Sequence, residues 1–134
     1  MTDHTPESLA PERGKPKIIC LSGSTRFIDH MAVAAWELEK QGHIVLSCHL
    51  LPKWYTDLTD HLAEAQGVAD AMDELHLRKI DLADELRVVS PSGYIGESTR
   101  REIAYAEAHG KPVSYIDNAP TLNAMNAMDG AGYV

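Results

Sequence analysis

The chain is poor in several things at once. Among its 134 residues there are two cysteines, one phenylalanine and two tryptophans. Two cysteines, Cys20 and Cys48, both in apolar contexts (IICL and VLSC), cannot make a disulfide scaffold and read as reduced core residues. No apolar run approaches the roughly 20 residues that span a bilayer, so a membrane-spanning chain is not expected. Positive charge is short as well: 12 Lys+Arg stand against 20 Asp+Glu, a formal net charge of −8. Such a chain repels polymeric phosphate, so no polymeric nucleic acid and no membrane surface is expected as a partner. A small phosphorylated ligand needs only a local positive field and stays open. Nothing at the start reads as a signal peptide, and a cytoplasmic protein is the expectation. The seven histidines lack ligand spacing with cysteine or with one another, so neither a metal nor another cofactor is expected.

What is present is ordinary for one folded domain: 44% hydrophobic and 24% charged residues. Residues 1–15 carry prolines and charges without apolar period and read as a flexible leader. Residues 16–118 form a single domain, and 119–134, rich in Asn, Ala, Met and Gly, read as a tail or a short helix. Four short apolar runs read as buried strands: 17–21 (KIICL), 43–48 (HIVLSC), 86–90 (LRVVS) and 113–116 (VSYI). Between them Phe27, Met31, Ala34, Ala35 and Leu38 recur at helical spacing, with Gly42 as a stop. Met72, Leu75, Ile80 and Ala83 give a second helical stripe, and 98–109 a third helix, ended by Gly110 and Pro112. Residues 49–70 read as a loop, with helix from Asp57 onward. Strands alternating with helices call for an α/β fold with a parallel sheet covered on both faces. Ligands in such folds sit beyond the carboxyl ends of the strands.

Two strand-to-helix loops should emerge there. The first, Ser22-Gly23-Ser24-Thr25-Arg26, combines a glycine, hydroxyls, a helix start and a forked cation, the parts of an anion cradle. Capping of the helix by Ser24 or Thr25, with Arg26 solvated, would use the same residues. The second runs from Pro91 through Gly93, Tyr94 and Gly96 to Glu97, Ser98 and Glu102. Thr99 and Glu102 have capping-box spacing, and Glu97 and Arg101 that of an i,i+4 ion pair. The functional alternative aims a carboxylate of the first helical turn at an electron-poor sugar carbon. Trp54, Tyr55 and Tyr94 could stack on a base; Trp54 and Tyr55 could equally line a subunit interface.

The combination of Gly23-Ser24-Thr25-Arg26 after a strand, Ala83-Asp84 before another, and Gly93…Gly96 leading to Glu102-Ile103-Ala104-Tyr105-Ala106 resembles the nucleoside 2-deoxyribosyltransferase superfamily, which includes the deoxynucleoside 5′-monophosphate N-glycosidases. The resemblance covers about residues 17–116. It implies a flavodoxin-like Rossmannoid three-layer sandwich. It implies cleavage or transfer of the N-glycosidic bond of a nucleoside or its 5′-monophosphate, without a cofactor. Glu102 takes the place of the family nucleophile, and Ser22, Ser24 and Arg26 that of its phosphate ligands, with Ser98 assisting. Gly23, Gly93, Tyr94, Gly96 and Glu97 complete the expected binding loops. The helix start and Arg100 or Arg101 are expected to keep Glu102 ionised. The family also carries an aspartate roughly two helical turns before the Ala-Asp pair; this chain has His76 there, so His76 or one of the flanking aspartates, Asp73 or Asp81, is expected to act as acid or hydrogen-bond partner, with Asp84 beside them. His76 also shares the stripe of Met72 and Ile80, which suits a satisfied half-buried histidine, and Asp84 would suit a cap. A homo-oligomer, with a neighbouring subunit completing the site, is implied too. Two other readings compete. One is a non-catalytic nucleotide-binding or sensor module. The other is a phosphoribohydrolase resembling the lysine decarboxylase-like family, approximated by Cys20-Leu21-Ser22-Gly23-Ser24 and by Pro91-Ser92-Gly93-Tyr94-Ile95-Gly96-Glu97.

Overall fold

The run IICLSG forms the first strand, β1 (Ile18–Gly23), and its alternation organises the rest. Successive side chains of a strand point to opposite faces. Ile19 and Leu21 therefore face one side of the sheet, and Cys20 and Ser22 the other; all four are buried. In the computed structural model, which describes residues 15–56 and 62–117, β1 lies between β2 (Ile44–Leu46) and β3 (Glu85–Val89). Strand β4 (Val113–Ile116) pairs with β3. All pairings are parallel, in the order β2-β1-β3-β4, which is the flavodoxin-like order over these strands.

Helix α1 (Ile28–Lys40) follows a short 3-10 turn (Thr25–Phe27) and covers one face. Its Met31, Ala34 and Leu38 pack against Ile19, Leu21 and Val89, and Cys48 and Leu50 join that cluster from beyond β2. The short helices α2 (Lys53–Thr56) and α3 (Leu62–Ala65) lead to α4 (Ala69–Leu82). With α5 (Glu97–Ala108), α4 covers the opposite face. Ile80, Ala83 and Ala106 close there over Cys20, Leu86 and Val88. Each fully buried aliphatic side chain contributes roughly 1.5–3 kcal/mol. The result is the expected three-layer α/β sandwich.

Several boundaries differ from the sequence reading, each for a local reason. The apolar run 43–48 supplies a strand only over Ile44–Leu46; Cys48 packs against the α1 cluster without pairing. In α4, Met72 and Leu75 are exposed, while His76 and Ile80 are buried and Leu77 is packed beside them. The inward face thus follows the i, i+4 rhythm of His76 and Ile80, not the Met72–Leu75 stripe. No capping box forms in α5. Gly96 is its N-cap, and Thr99 lies buried inside the helix. In the stretch 49–70, helix already appears at Lys53–Thr56, where a loop is expected, and again at Leu62–Ala65, within the helix expected from Asp57. The leader (1–15, apart from Lys15), residues 57–61, and the tail with Tyr133 fall outside the described residues.

Charged groups close the amino-terminal rim of the sheet. Asp84 Oδ2 accepts the Ile18 N–H at 2.8 Å, and Lys111 Nζ donates to the carbonyls of Asp81 and Ala83 where α4 ends. On the α1 side of β3, Glu85 receives Lys17 Nζ, both Nε and Nη2 of Arg87, and Ser114 Oγ. Burial pushes the Glu85 carboxyl up, but these donors outweigh it and hold the group below its ordinary value.

At the other rim β1 and β3 end side by side, with Gly23 opposite Val89. A Cβ on Gly23 would stand 2.9 Å from the Val89 carbonyl oxygen and 3.2 Å from Met31 Sδ. The backbone oxygen cannot withdraw as a flexible side chain could. Gly23→Ala is expected to lower stability by about 1–3 kcal/mol, read as a shifted urea midpoint with an unchanged slope.

Candidate functional site

Ser22 is the second-to-last residue of β1 and points to the face covered by α4 and α5. At that rim both helices begin. His76 comes in from α4 and Glu102 from α5, and the three side chains meet. Ser22 Oγ lies 3.2 Å from His76 Nε2, and the Ser22 hydroxyl also hydrogen-bonds the Glu102 carboxyl. His76 Nε2 stands 3.6 Å from Glu102 Oε1, beyond direct hydrogen-bond reach, so the hydroxyl is the link between them. Cys20 Sγ is 3.7 Å from the same imidazole nitrogen. The side chains of His76 and Glu102 are 7% and 16% exposed, so water is nearly excluded.

That exclusion sets the charges. Burial, helped by Asp73, pushes the Glu102 carboxyl up to about 7, against the Ser22 hydrogen bond and Arg101, which pull the other way. Burial, helped by Lys79, lowers His76 to about 4, against a hydrogen bond to the Leu21 backbone. Burial also drives the Cys20 thiol to about 12 and raises Cys48, so both stay protonated. The expectation that the helix start and Arg100 or Arg101 would keep Glu102 ionised is corrected on this point. Glu102 sits in the second turn of α5, past the reach of the helix dipole, and desolvation dominates. Arg100 lines a different groove, with Ile95, Ile103 and Tyr115.

Glu102 opens onto a cleft of about 160 Å³ between the two helices. Asp73, Leu77, Ser98, Arg101 and Tyr105 form the rest of its lining. Arg101 Nη2 donates to Ser98 Oγ at 3.2 Å, and Arg101 also pairs with Glu97 at 3.7 Å on the open surface. The other expected residues sort by location. Ser24 caps the 3-10 turn, its Oγ accepting the Arg26 N–H at 3.1 Å. Arg26 stacks its guanidinium 4.4 Å from the Tyr94 ring centre, and Phe27 meets the same ring edge-on at 5.7 Å. The two loops therefore touch, with Gly96 lying against the Tyr94 ring. Gly93 and the neighbouring Ser92 carry the loop through positive φ. Trp54 and Tyr55 pack edge-on against each other and are exposed.

Three placements run against expectation. Ser22 is not a free phosphate donor, since its hydroxyl is buried and committed to His76 and Glu102. Asp84 is bonded at the amino end of β1, about 13 Å of strand away from Ser22. Asp81 accepts from Tyr105 Oη at 2.7 Å and pairs with Arg78 at 3.2 Å, apart from the His76 cluster. Of the two aspartates that flank His76 in sequence, Asp73, one helical turn before it, shares the cleft with Glu102, whereas Asp81 does not. Among the described residues no group of three or more His, Cys, Asp or Glu side chains could hold a metal ion, and no helix is long and apolar enough to cross a membrane. No protein-family model matches the chain, and no curated protein matches its sequence.

The two shifted groups act on stability with opposite sign. Glu102, raised when folded, favours the native state fully below about pH 4.5, and this is lost as pH rises through about 7. His76, depressed when folded, favours the native state above about pH 6.5, and this is lost as pH falls through about 4. The slopes oppose each other between about pH 4.5 and 6.5. Glu102→Gln removes one of them. Its stability relative to the wild type should climb between pH 5 and pH 8, by up to about 3 kcal/mol, in urea unfolding at the two pH values.

Proposed function

We infer that the protein cleaves or transfers the N-glycosidic bond of a nucleoside or nucleoside 5′-monophosphate, with Glu102 as nucleophile. The observation that carries this reading is the position of Glu102: a nearly buried carboxyl at the carboxyl-terminal rim of the sheet, opening onto a cleft between two helix starts. In the first step a Glu102 oxygen bonds to C1′ while the C1′–N bond breaks, its electron pair leaving with the base. The buried site favours the charge-neutralising contact between carboxylate and oxocarbenium-like carbon. In the second step water releases the sugar in a hydrolase, or a second base takes it in a transferase. Leu77 and Tyr105 give the cleft an apolar wall suited to a flat ring, and Asp73 and Arg101 give it polar edges.

Arg26 is the anion ligand in this reading. Its guanidinium lies on the surface, on the loop that continues from Ser22, and among the described residues it rests on the Tyr94 ring face. A 5′-phosphate could draw it off that ring at the cost of one cation–π contact. The resemblance extends the proposal to nucleotide metabolism in the cytoplasm and to a homo-oligomer in which a neighbouring subunit closes the cleft; the exposed Trp54 and Tyr55 offer an apolar surface for one.

The test is incubation with a panel of nucleosides and 5′-monophosphates, followed by chromatography for free base. Released base marks a hydrolase, exchange only with an added second base marks a transferase, and binding without either marks a sensor module. Glu102→Gln should abolish release while circular dichroism stays native; near-full release by that variant would remove the assignment. Arg26→Ala should raise KM for the monophosphate by about 10- to 100-fold and leave the unphosphorylated nucleoside unchanged.

A further inference from the structure

Ser22 hydrogen-bonds both His76 and Glu102, and it has a single proton to give. That proton cannot serve both neighbours at once. With Glu102 protonated, the carboxyl donates to Ser22 Oγ and the hydroxyl donates to His76 Nε2. With Glu102 ionised, the hydroxyl turns to the carboxylate, and the neutral His76 must shift to the tautomer with its proton on Nε2 rather than Nδ1 to keep its bond to Ser22 Oγ. The direction of the hydroxyl is therefore tied to the protonation of the groups on either side.

We propose that Glu102, Ser22 and His76 form a proton relay, in which the Glu102 proton is handed inward through the Ser22 hydroxyl to His76 Nε2 rather than out to solvent. Its catalytic consequence rests on the reading of Glu102 as nucleophile. As Glu102 bonds to C1′, its proton moves to Ser22 Oγ and the Ser22 proton moves to His76 Nε2. The C1′–N electron pair leaves on the base. When water attacks C1′, the electron pair of the ester bond returns to Glu102, the water proton passes to the base, and the imidazolium proton returns through Ser22 to Glu102. His76 is a positioning and proton-holding residue here, acting through Ser22. No co-reactant beyond substrate and water is needed.

The surroundings suit a proton confined to these groups. The Cys20 thiol on β1 and Cys48 beyond β2 are too weakly acidic to compete. On α4, Lys79 faces the cluster as a positive charge, but its ammonium is hydrogen-bonded to the Ser47 carbonyl at 2.7 Å. Asp73 on α4 opposes ionisation of Glu102, and Arg101 on α5 favours it. The low basicity of the buried imidazole keeps the proton on Glu102 at rest and makes its return prompt.

The relay is tested without any turnover by nuclear magnetic resonance on the whole protein, labelled with ¹³C at glutamate carboxyls and ¹⁵N in imidazoles. In the wild type, the His76 Nε2 signal should move from the pyridine-like to the pyrrole-like range at the same pH midpoint as the Glu102 carboxyl. In Ser22→Ala that coupled movement should vanish, and in Ser22→Thr, which restores a hydroxyl, it should return. A His76 nitrogen that ignores the Glu102 midpoint in the wild type overturns the relay by itself, whether or not either variant folds. So does a coupled shift that survives in folded Ser22→Ala. Coupling without base release would sink the N-glycosidase reading and leave the relay; base release without coupling would do the reverse. In an active protein, single-turnover base release should hold level below the Glu102 midpoint, and in His76→Gln it should fall about tenfold per pH unit. Equal profiles would overturn the catalytic role.

Discussion

A carboxyl group kept almost out of water is the constraint on which the site depends. Glu102 has little solvent to stabilise its charge, and within the cluster its hydrogen-bond donor is the Ser22 hydroxyl. Burial alone would leave a neutral acid of no particular use. The arrangement becomes chemically interesting because the shielding is incomplete: one side of the carboxyl meets Ser22 and the other opens to a small cleft. A charge uncovered there would act in a medium far less polar than water, where electrostatic attraction to an electron-poor carbon is strong.

The fold produces this arrangement from simple parts. Strand alternation turns Ser22 toward the two-helix face and Leu21 toward α1. The parallel topology brings the first turns of α4 and α5 to the rim where β1 ends. Polar groups at the other rim are engaged in fastening: Asp84 to the start of β1, Lys111 to the end of α4, and Glu85 to four donor groups. Chemistry-bearing residues are thus concentrated at the end of the sheet where the helix starts lie.

The architecture was readable because its causes are local. Four apolar runs and their glycine stops predict four strands, and the alternation with helices predicts parallel pairing. The site was readable in part. His76 and Glu102 could be named from spacing and resemblance, and they do lie together. Ser22 was named for a different task, because a sequence shows a hydroxyl near a glycine and an arginine but not the face of the sheet on which it lies. The ionisation of Glu102 was misjudged for a similar reason: nearby arginines are visible in the chain, whereas desolvation is a property of packing. Asp84 and Asp81 were drawn in by adjacency along the chain, yet a strand and most of a helix carry them to the other rim. Met72 and Leu75 misled because apolar residues at helical spacing do not reveal which stripe turns inward.

The groove between α4 and α5 is not uniform along its length. Toward the carboxyl ends of the helices, Tyr105 Oη accepts from Arg78 at 2.9 Å and donates to Asp81, a stitch between the two cylinders. Toward their amino ends stand Asp73 and Ser98, and among the described residues no hydrogen bond joins the two across the gap. Two rods pinned at one end and loose at the other can splay only as a wedge. A guest entering the groove would therefore be gripped by a graded taper, snug at the aromatic root and yielding at the lip, so that its thickness, more than its length, would decide how far in it travels.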